Sequence, residues 1–506
     1  MFISPLFHCF QPERSGWFGD GAGKACVAMT QSKEMTRIRA ASLLLACWLP
    51  NLAAQTDEPV MVATEHPRLF LRPQRLRLLK RERDRTSPRW IQFESLIVGK
   101  APMPERGFAE ALYYRIAGDA ETGRRAIAWA LGAGADLRQQ ALVFDWCQEL
   151  LTEAQRRDLA ARLQRGIATA PPANESVALV RSRVLAAVAL FDHVPQTPQR
   201  ELERVVRNWW GGKIVPALKA GRSAIARDDA FPLWEMLHAI RDSTNLDLRE
   251  AAPRFFKDFP IEHLMSYYPA LYPAPENEYR IGLTRSTGDP DLQLAALSRA
   301  AEMAMVAFDV NAAESQVLQG WLMHDKFMLK GTFGAPYEFL WANPYQPGLS
   351  YYHVPLVYHN PDSGRLFVRS NWDDDAEWFG YFDGTMQMFS EGRLTTLNPK
   401  LMVAPISLKE AAIVFGPQAR KFKMTLDEEQ AVFVMGLAPR QSYDVEIDDE
   451  EMYEAQADPG GILALDLPHG KEVGVRVQEP GNGGRETGAG GRGPGSDVSR
   501  SSRHEG

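Results

Sequence analysis

The chain has 506 residues, 45% of them apolar and 24% charged, and a formal net charge of −7. That length accommodates two or three domains with sizeable cores, and the composition is that of a globular protein rather than a disordered or fibrous one. The acidic balance argues against nucleic acid as a partner and gives no global attraction for an anionic polymer, so recognition of one has to be local.

Residues 1–34 carry no periodic pattern. Met35 to Arg39 is basic, 40–49 is apolar, and Asn51 to Ala54 supplies small residues before Gln55. This is the pattern of a secretory signal peptide, too short for a good membrane span, with Met29 or Met35 as the expected start. A second reading takes Leu44 to Cys47 as a lipoprotein signal acylated at Cys47. Both place the mature chain in the periplasm or outside the cell, with no transmembrane span. Cys9, Cys26 and Cys47 fall in or before residue 55, which leaves Cys147 alone, so no internal disulfide and no Cys-based metal site is expected.

From 56 to 340 the periodicity is helical. Pro67 keeps His66 out of a helix and favours an extended entry; a basic helix over 73–85 follows, with Leu76 and Leu79 inward. Further helices are predicted over 108–117, 120–131 (capped by Asp119), 137–151, 176–191, 198–210, 214–220, 232–243, 289–310 and 313–328, the last of the series. Thr152 to Gln155 is a capping box opening another helix to Ile167. Similar lengths and short loops imply antiparallel hairpins in a ring or layered array. Residues 255–288 interrupt them with Tyr267, Tyr268, Tyr272, Tyr279 and several prolines, as either a functional loop or a Pro-rich connector.

After Trp341 the period shortens to that of strands. The stretch 365–384, RLFVRSNWDDDAEWFGYFDG, sets two alternating aromatic runs around Asp373, Asp374 and Asp375, which are candidate acids or a solvated turn. Short strands with Gly/Pro turns continue to about residue 478. The seven carboxylates from Asp444 to Glu454 lack an EF-hand spacing and read as a solvated face. Residues 479–506, rich in Gly, Ser and Arg, are predicted to be a disordered tail. The fold class expected is thus α+β and multidomain: an incomplete α/α toroid of helical hairpins over 56–340, then an antiparallel β-sandwich over 341–478.

Four pieces resemble the heparinase II/III-like polysaccharide lyases and their alginate-lyase relatives. HPRLF at 66–70 is similar to that family's entry segment, and FDWCQELLTEAQR at 144–156 to one of its helix pairs. RLFVRSNWDDDAEWFGYFDG resembles its first sandwich strands, and the hairpin within 443–467 its last ones. The resemblance implies β-elimination at C5 of a uronic acid, with an acidic polysaccharide or oligosaccharide as partner and no cofactor. Such chemistry needs a group that neutralises the carboxylate, a base for the C5 proton and an acid for the leaving oxygen.

The family's catalytic pattern is met only in part. Asn174 stands where the carboxylate neutraliser belongs, although the plainer reading, and the one favoured, is that Asn174 or Ser176 caps the helix that follows. The stretch SAIARDDAFPLW at 223–234 lacks the expected Tyr, and TMQMFSEG at 385–392 lacks the expected His. His238, Tyr268 and Tyr279 are the remaining catalytic candidates, with Trp234, His263 and Arg280 as substrate-binding candidates. His353 and His359 lie at the start of the β region. No His/Asp set has convincing metal spacing. Two other readings stay open. One is a catalytically silent relative that binds a glycan or a protein between the domains. The other is a glycoside hydrolase using Asp228 or Asp229 with Glu276 or Glu278.

Overall fold

A computed structural model describes residues 59–480, apart from 245, 286–287, 326–327, 403, 417–419 and 428–429. The expected signal peptide, Cys47 and residues 481–506 lie outside the described residues. Within them the chain is α+β, helical in its N-terminal region and stranded in its C-terminal region. No described helix is long and apolar enough to cross a membrane.

Local signals act as expected in the first helices. Thr152 and Gln155 form the reciprocal capping box of Glu153–Ala168. Ser176, not Asn174, caps Val177–Leu190 by accepting from the Leu179 amide. Three expectations are corrected. The helix expected over 198–210 is α-helical only over Thr197–Glu203 and continues as a π-helix, Arg204–Ile214, whose wider turns turn both Trp209 and Trp210 inward. The interruption at 255–288 is instead a helix, Pro253–Met265, followed by a hairpin of Tyr267–Pro273 with Glu278–Gly282. Its prolines mislead: Pro253 sits in the first turn, where no amide is lost, and Pro260 is carried inside. Finally, 313–328 is not the last helix, because Gly331–Trp341 follows with Pro336 inside it.

Six helices pack in succession: Arg106–Ala117, Leu137–Trp146, Val177–Leu190, Ala230–Thr244, Leu292–Phe308 and Gly331–Trp341. The last returns to the first and to Pro88–Val98. Buried charges tie them near their N-terminal ends. The Glu235 carboxylate accepts from Arg138 Nε at 2.8 Å and Nη2 at 2.7 Å, and also from Arg181. Arg138 reaches Glu105 at 3.1 Å, and the Tyr337 hydroxyl donates to Glu105. Burial alone would raise the pKa of Glu235, but the two guanidiniums outweigh it and hold the carboxyl below its usual range. The entry segment is pinned similarly. Asp145 accepts from His66 Nδ1 at 2.5 Å and from the Leu69 amide at 2.9 Å, and Trp146 Nε1 donates to the Leu69 carbonyl at 2.9 Å.

The β region is three sheets, not a two-sheet antiparallel sandwich. The first is a five-stranded antiparallel meander, Val357–Asn360, Arg365–Arg369, Trp378–Phe382, Thr385–Ser390 and Arg393–Leu397. The second runs Leu463–Leu465, Ala431–Met435, Ala411–Phe415, Ile406–Leu408, and its central pair is parallel. The third runs Lys421–Thr425, Glu472–Gln478, Ser442–Ile447, Glu451–Gln456. Leu366, Val368 and Phe379 of the first sheet pack on Ile413, Phe415 and Phe433 of the second. The opposite face of the second, with Ala412, Val414 and Val432, packs on Val445 and Val475 of the third. Phe367, Trp378 and Phe382 join the helical core. The period-two signal of a strand does not report how many layers it lies between, which is why the third layer escapes the sequence.

Glu235→Ala would strand two guanidiniums near the helix ends. It is expected to cost about 3–5 kcal/mol in urea unfolding, whereas the double change Arg138→Met, Glu235→Leu should cost clearly less.

Candidate functional site

A cleft of about 870 Å³ opens between the helical region and the first sheet. Three parts of the chain build its helical side: the loop before Ala230–Thr244, the helix Pro253–Met265 and the segment 283–285. Its other side is the end of the first sheet, with Asn360, Asp362, Arg365, Phe382 and Asp383. The two ends of the 365–384 stretch are therefore part of the wall. Phe255, Phe259 and Phe382 give the cleft an apolar surface. Its ionisable lining counts six basic residues, Lys219, Arg222, Arg227, Arg254, Arg285 and Arg365, against five acidic ones, Asp228, Asp258, Glu262, Asp362 and Asp383.

Some of these charges neutralise each other. Arg365 pairs with Glu262 at 2.6 Å and Asp383 at 3.0 Å, and Arg254 pairs with Asp362 at 2.8 Å. Among the described residues, Lys219, Arg222, Arg227 and Arg285 have no carboxylate at ion-pair distance; Arg285 donates instead to the Asp383 carbonyl at 2.8 Å. The basic excess is thus concentrated in cations that keep their charge, inside a protein that is acidic overall.

Arg227 is the most constrained of them. Its Nε donates to Ser266 Oγ and its Nη1 to Ser298 Oγ, both at 2.8 Å, and its Nη2 is buried without a hydrogen-bond partner. The guanidinium lies over the Tyr267 ring, 4.3 Å from its centroid. Its other side presses on Gly282, where a Cβ would collide with the guanidinium carbon. A half-buried arginine held by neutral hydroxyls, an aromatic face and a bare backbone is oriented without being neutralised.

The residues singled out in the sequence are scattered. Asn174 is exposed on a turn and does not line the cleft. His238 is buried between Phe308 and Trp341, with its Nε2 2.9 Å from the Ala304 carbonyl. Trp234 is buried against Phe256, Phe259 and Phe308. Tyr268 is buried in the hairpin, and its hydroxyl donates to Gln387 at 2.9 Å and accepts from the Thr284 amide at 2.9 Å. The Tyr279 hydroxyl accepts from Asn277 at 2.9 Å. Arg280 pairs with Asp325 at 2.8 Å and Asp374 at 3.3 Å, over the Trp321 ring. His263 alone of the seven lines the cleft. Its Nε2 is 3.5 Å from Glu302 and 3.4 Å from the Tyr267 hydroxyl. Of the hydrolase acids, Asp228 lines the cleft, whereas Asp229, Glu276 and Glu278 do not.

Arg227 and its partners were not singled out. Arg227 lies within SAIARDDAFPLW, where the family resemblance implies a tyrosine, and Ser266, Ser298 and Gly282 are too common in type and too distant in sequence to signal a shared slot.

Burial sets the electrostatics of the wall. It lowers the pKa of His263, with Arg227 adding to the effect against Glu302, and it raises that of Asp258. Elsewhere, His66, Asp192 and His193 are spaced as metal ligands are. However, Arg68 Nη2 lies 2.8 Å from His66 Nε2 and 2.9 Å from Asp192, so a guanidinium already stands at the place of the ion.

No family model matches the chain, and no curated protein matches it. One solved structure, described as a glycoside hydrolase, is similar to it with a TM-score of 0.27 and 11% identity, over 74% of this chain and 72% of that chain.

Burial holds His238 and His263 below their ordinary pKa of 6.5. Above that value each is neutral whether the chain is folded or not. Below it the unfolded chain takes up protons that the folded core refuses, so stability falls as the pH drops. The urea midpoint should therefore decline from pH 7 to pH 5, with a shallower slope in His238→Gln, whose amide can still donate to Ala304.

Proposed function

We propose that this protein binds a uronate-containing acidic glycan in the cleft, with Arg227 against a sugar carboxylate. The observation that carries this reading is the Arg227 slot: a guanidinium fixed by Ser266, Ser298, Tyr267 and Gly282, and left without a carboxylate of its own among the described residues. With Nε and Nη1 held by the serines, the unpartnered Nη2 is the donor left for a carboxylate. Lys219, Arg222 and Arg285 would meet further carboxylates along the chain, and Phe255, Phe259 and Phe382 the apolar faces of the sugar rings. The closed succession of six helices is what an α/α toroid would produce, and a toroid behind stacked sheets is the architecture that the lyase resemblance implies. Export to the periplasm or beyond, read from the leader, would bring the cleft to such polymers.

A second reading, β-elimination, is favoured by His263. It lines the cleft, and burial, with Arg227 adding to it, holds its pKa below the ordinary value, which favours the unprotonated form that a base needs. In that role it would accept the C5 proton. The silent reading is favoured by the tyrosines: Tyr268 and Tyr279 are engaged in hydrogen bonds, and no tyrosine among the described residues lines the cleft.

Oligomers of alginate, polygalacturonate and hyaluronan should bind in calorimetric titration. Arg227→Met should weaken the best of them by about tenfold to a hundredfold, the loss expected for a charged hydrogen bond. Gly282→Ala should do the same without touching the ligand. Binding no tighter than that of neutral oligosaccharides, or unchanged in Arg227→Met, would sink the proposal. Growth of the unsaturated-uronate absorbance, abolished in His263→Ala, would select elimination; a flat trace with intact binding would select the silent reading.

A further inference from the structure

Away from the cleft, five aromatic rings form a ladder from the core to the surface. Trp372 and Trp321 are 4.9 Å apart between centroids, and Trp321 and His324 are 6.1 Å apart. His324 stacks on Tyr351 at 3.6 Å with 15° between planes, and Tyr351 meets Tyr352 at 4.2 Å. The two tryptophans are buried, with Arg280 4.9 Å over Trp321 and Arg369 4.4 Å over Trp372, whereas Tyr352 is 80% exposed. None of the five rings lines the cleft.

A lone exposed tyrosine needs no explanation. This one is the free end of a stack fixed in the core, so its ring loses little freedom when something settles on it. The acidic turn Asp373 to Asp375 approaches the same stack at Tyr351, the ring behind it. The Asp373 carboxylate is close enough to act on Tyr351, whose hydroxyl pKa is raised first by its hydrogen bond with Tyr352 and then by burial and by Asp373. Asp374 is taken by Arg280. Asp373 and Asp375 are exposed and have no ion-pair partner among the described residues. A flat ring bordered by free carboxylates suits a sugar that stacks its apolar face and donates hydroxyl protons; a uronate would be repelled.

We propose that Tyr352, backed by Tyr351 and His324 beside the Asp373–Asp375 turn, is a second carbohydrate-binding surface that takes a pyranose carrying no carboxylate. It extends the glycan reading but rests on a different observation and has the opposite charge preference. The test titrates the full chain with cellohexaose, maltohexaose and N-acetylchitohexaose, and separately with oligogalacturonate. At least one neutral oligomer should bind, lose tenfold or more in Tyr352→Ala, weaken in His324→Ala, and be unaffected by Arg227→Met. Oligogalacturonate should show the reverse pattern. Failure of all three neutral probes, or neutral binding that survives Tyr352→Ala or disappears in Arg227→Met, overturns the platform. Failure confined to oligogalacturonate overturns the cleft reading and leaves the platform standing.

Discussion

Two strands of the first sheet, Arg365–Arg369 and Trp378–Phe382, are buried on both faces, and most of what is distinctive here follows from that. Leu366, Val368 and Phe379 commit one face to the second sheet, while Phe367, Trp378 and Phe382 commit the other to the helices. Arg369 crosses in the same direction, donating to the Tyr267 carbonyl at 2.9 Å. A strand that must satisfy two cores cannot slip in register, because a one-residue shift exchanges its two faces. The end of that sheet is therefore a rigid wall, and the cleft and the aromatic ladder are built at its margins.

Charge within the cleft follows from which arginines find carboxylates. Arg365 and Arg254 serve as cross-braces between the helical side and the sheet, their charge consumed by Glu262, Asp383 and Asp362. Arg227 is stabilised by dipoles and a ring face instead. The two kinds of arginine look alike in sequence, and only their surroundings separate a brace from a recognition element. This is how a protein with a formal net charge of −7 can present a locally cationic surface.

Much of the architecture was legible because it rests on local chemistry. The Thr152–Gln155 box, the caps at Asp119 and Ser176, and the change of period after Trp341 are each written within a few residues. The pieces at 66–70 and 144–156 prove to be one hydrogen-bonded unit through Asp145 and Trp146. The layering of the sheets was not legible, nor was the helix carrying Pro260, because both are decided by distant partners. The candidate site was read least well. His238 and Trp234 have residue types suited to chemistry, but their apolar neighbours take them into the core, and Tyr268 is spent on fastening Thr284 to the sheet. Arg227 depends on three segments meeting, a fact that no window of sequence contains.

The Gly282 contact has a consequence for how such a site could be tuned. The residue lies against the flat side of a guanidinium, and a Cβ there would stand 2.2 Å from Cζ and Nη1 and 2.5 Å from Nε, so even a methyl would push the arginine aside and loosen its bonds to Ser266 and Ser298. Natural variation at this one backbone position would then act as a dial on anion affinity, set from behind the binding surface. A glycine opposite an arginine and a tyrosine in related chains would be a mark for sorting those that keep the dial open from those that have closed it.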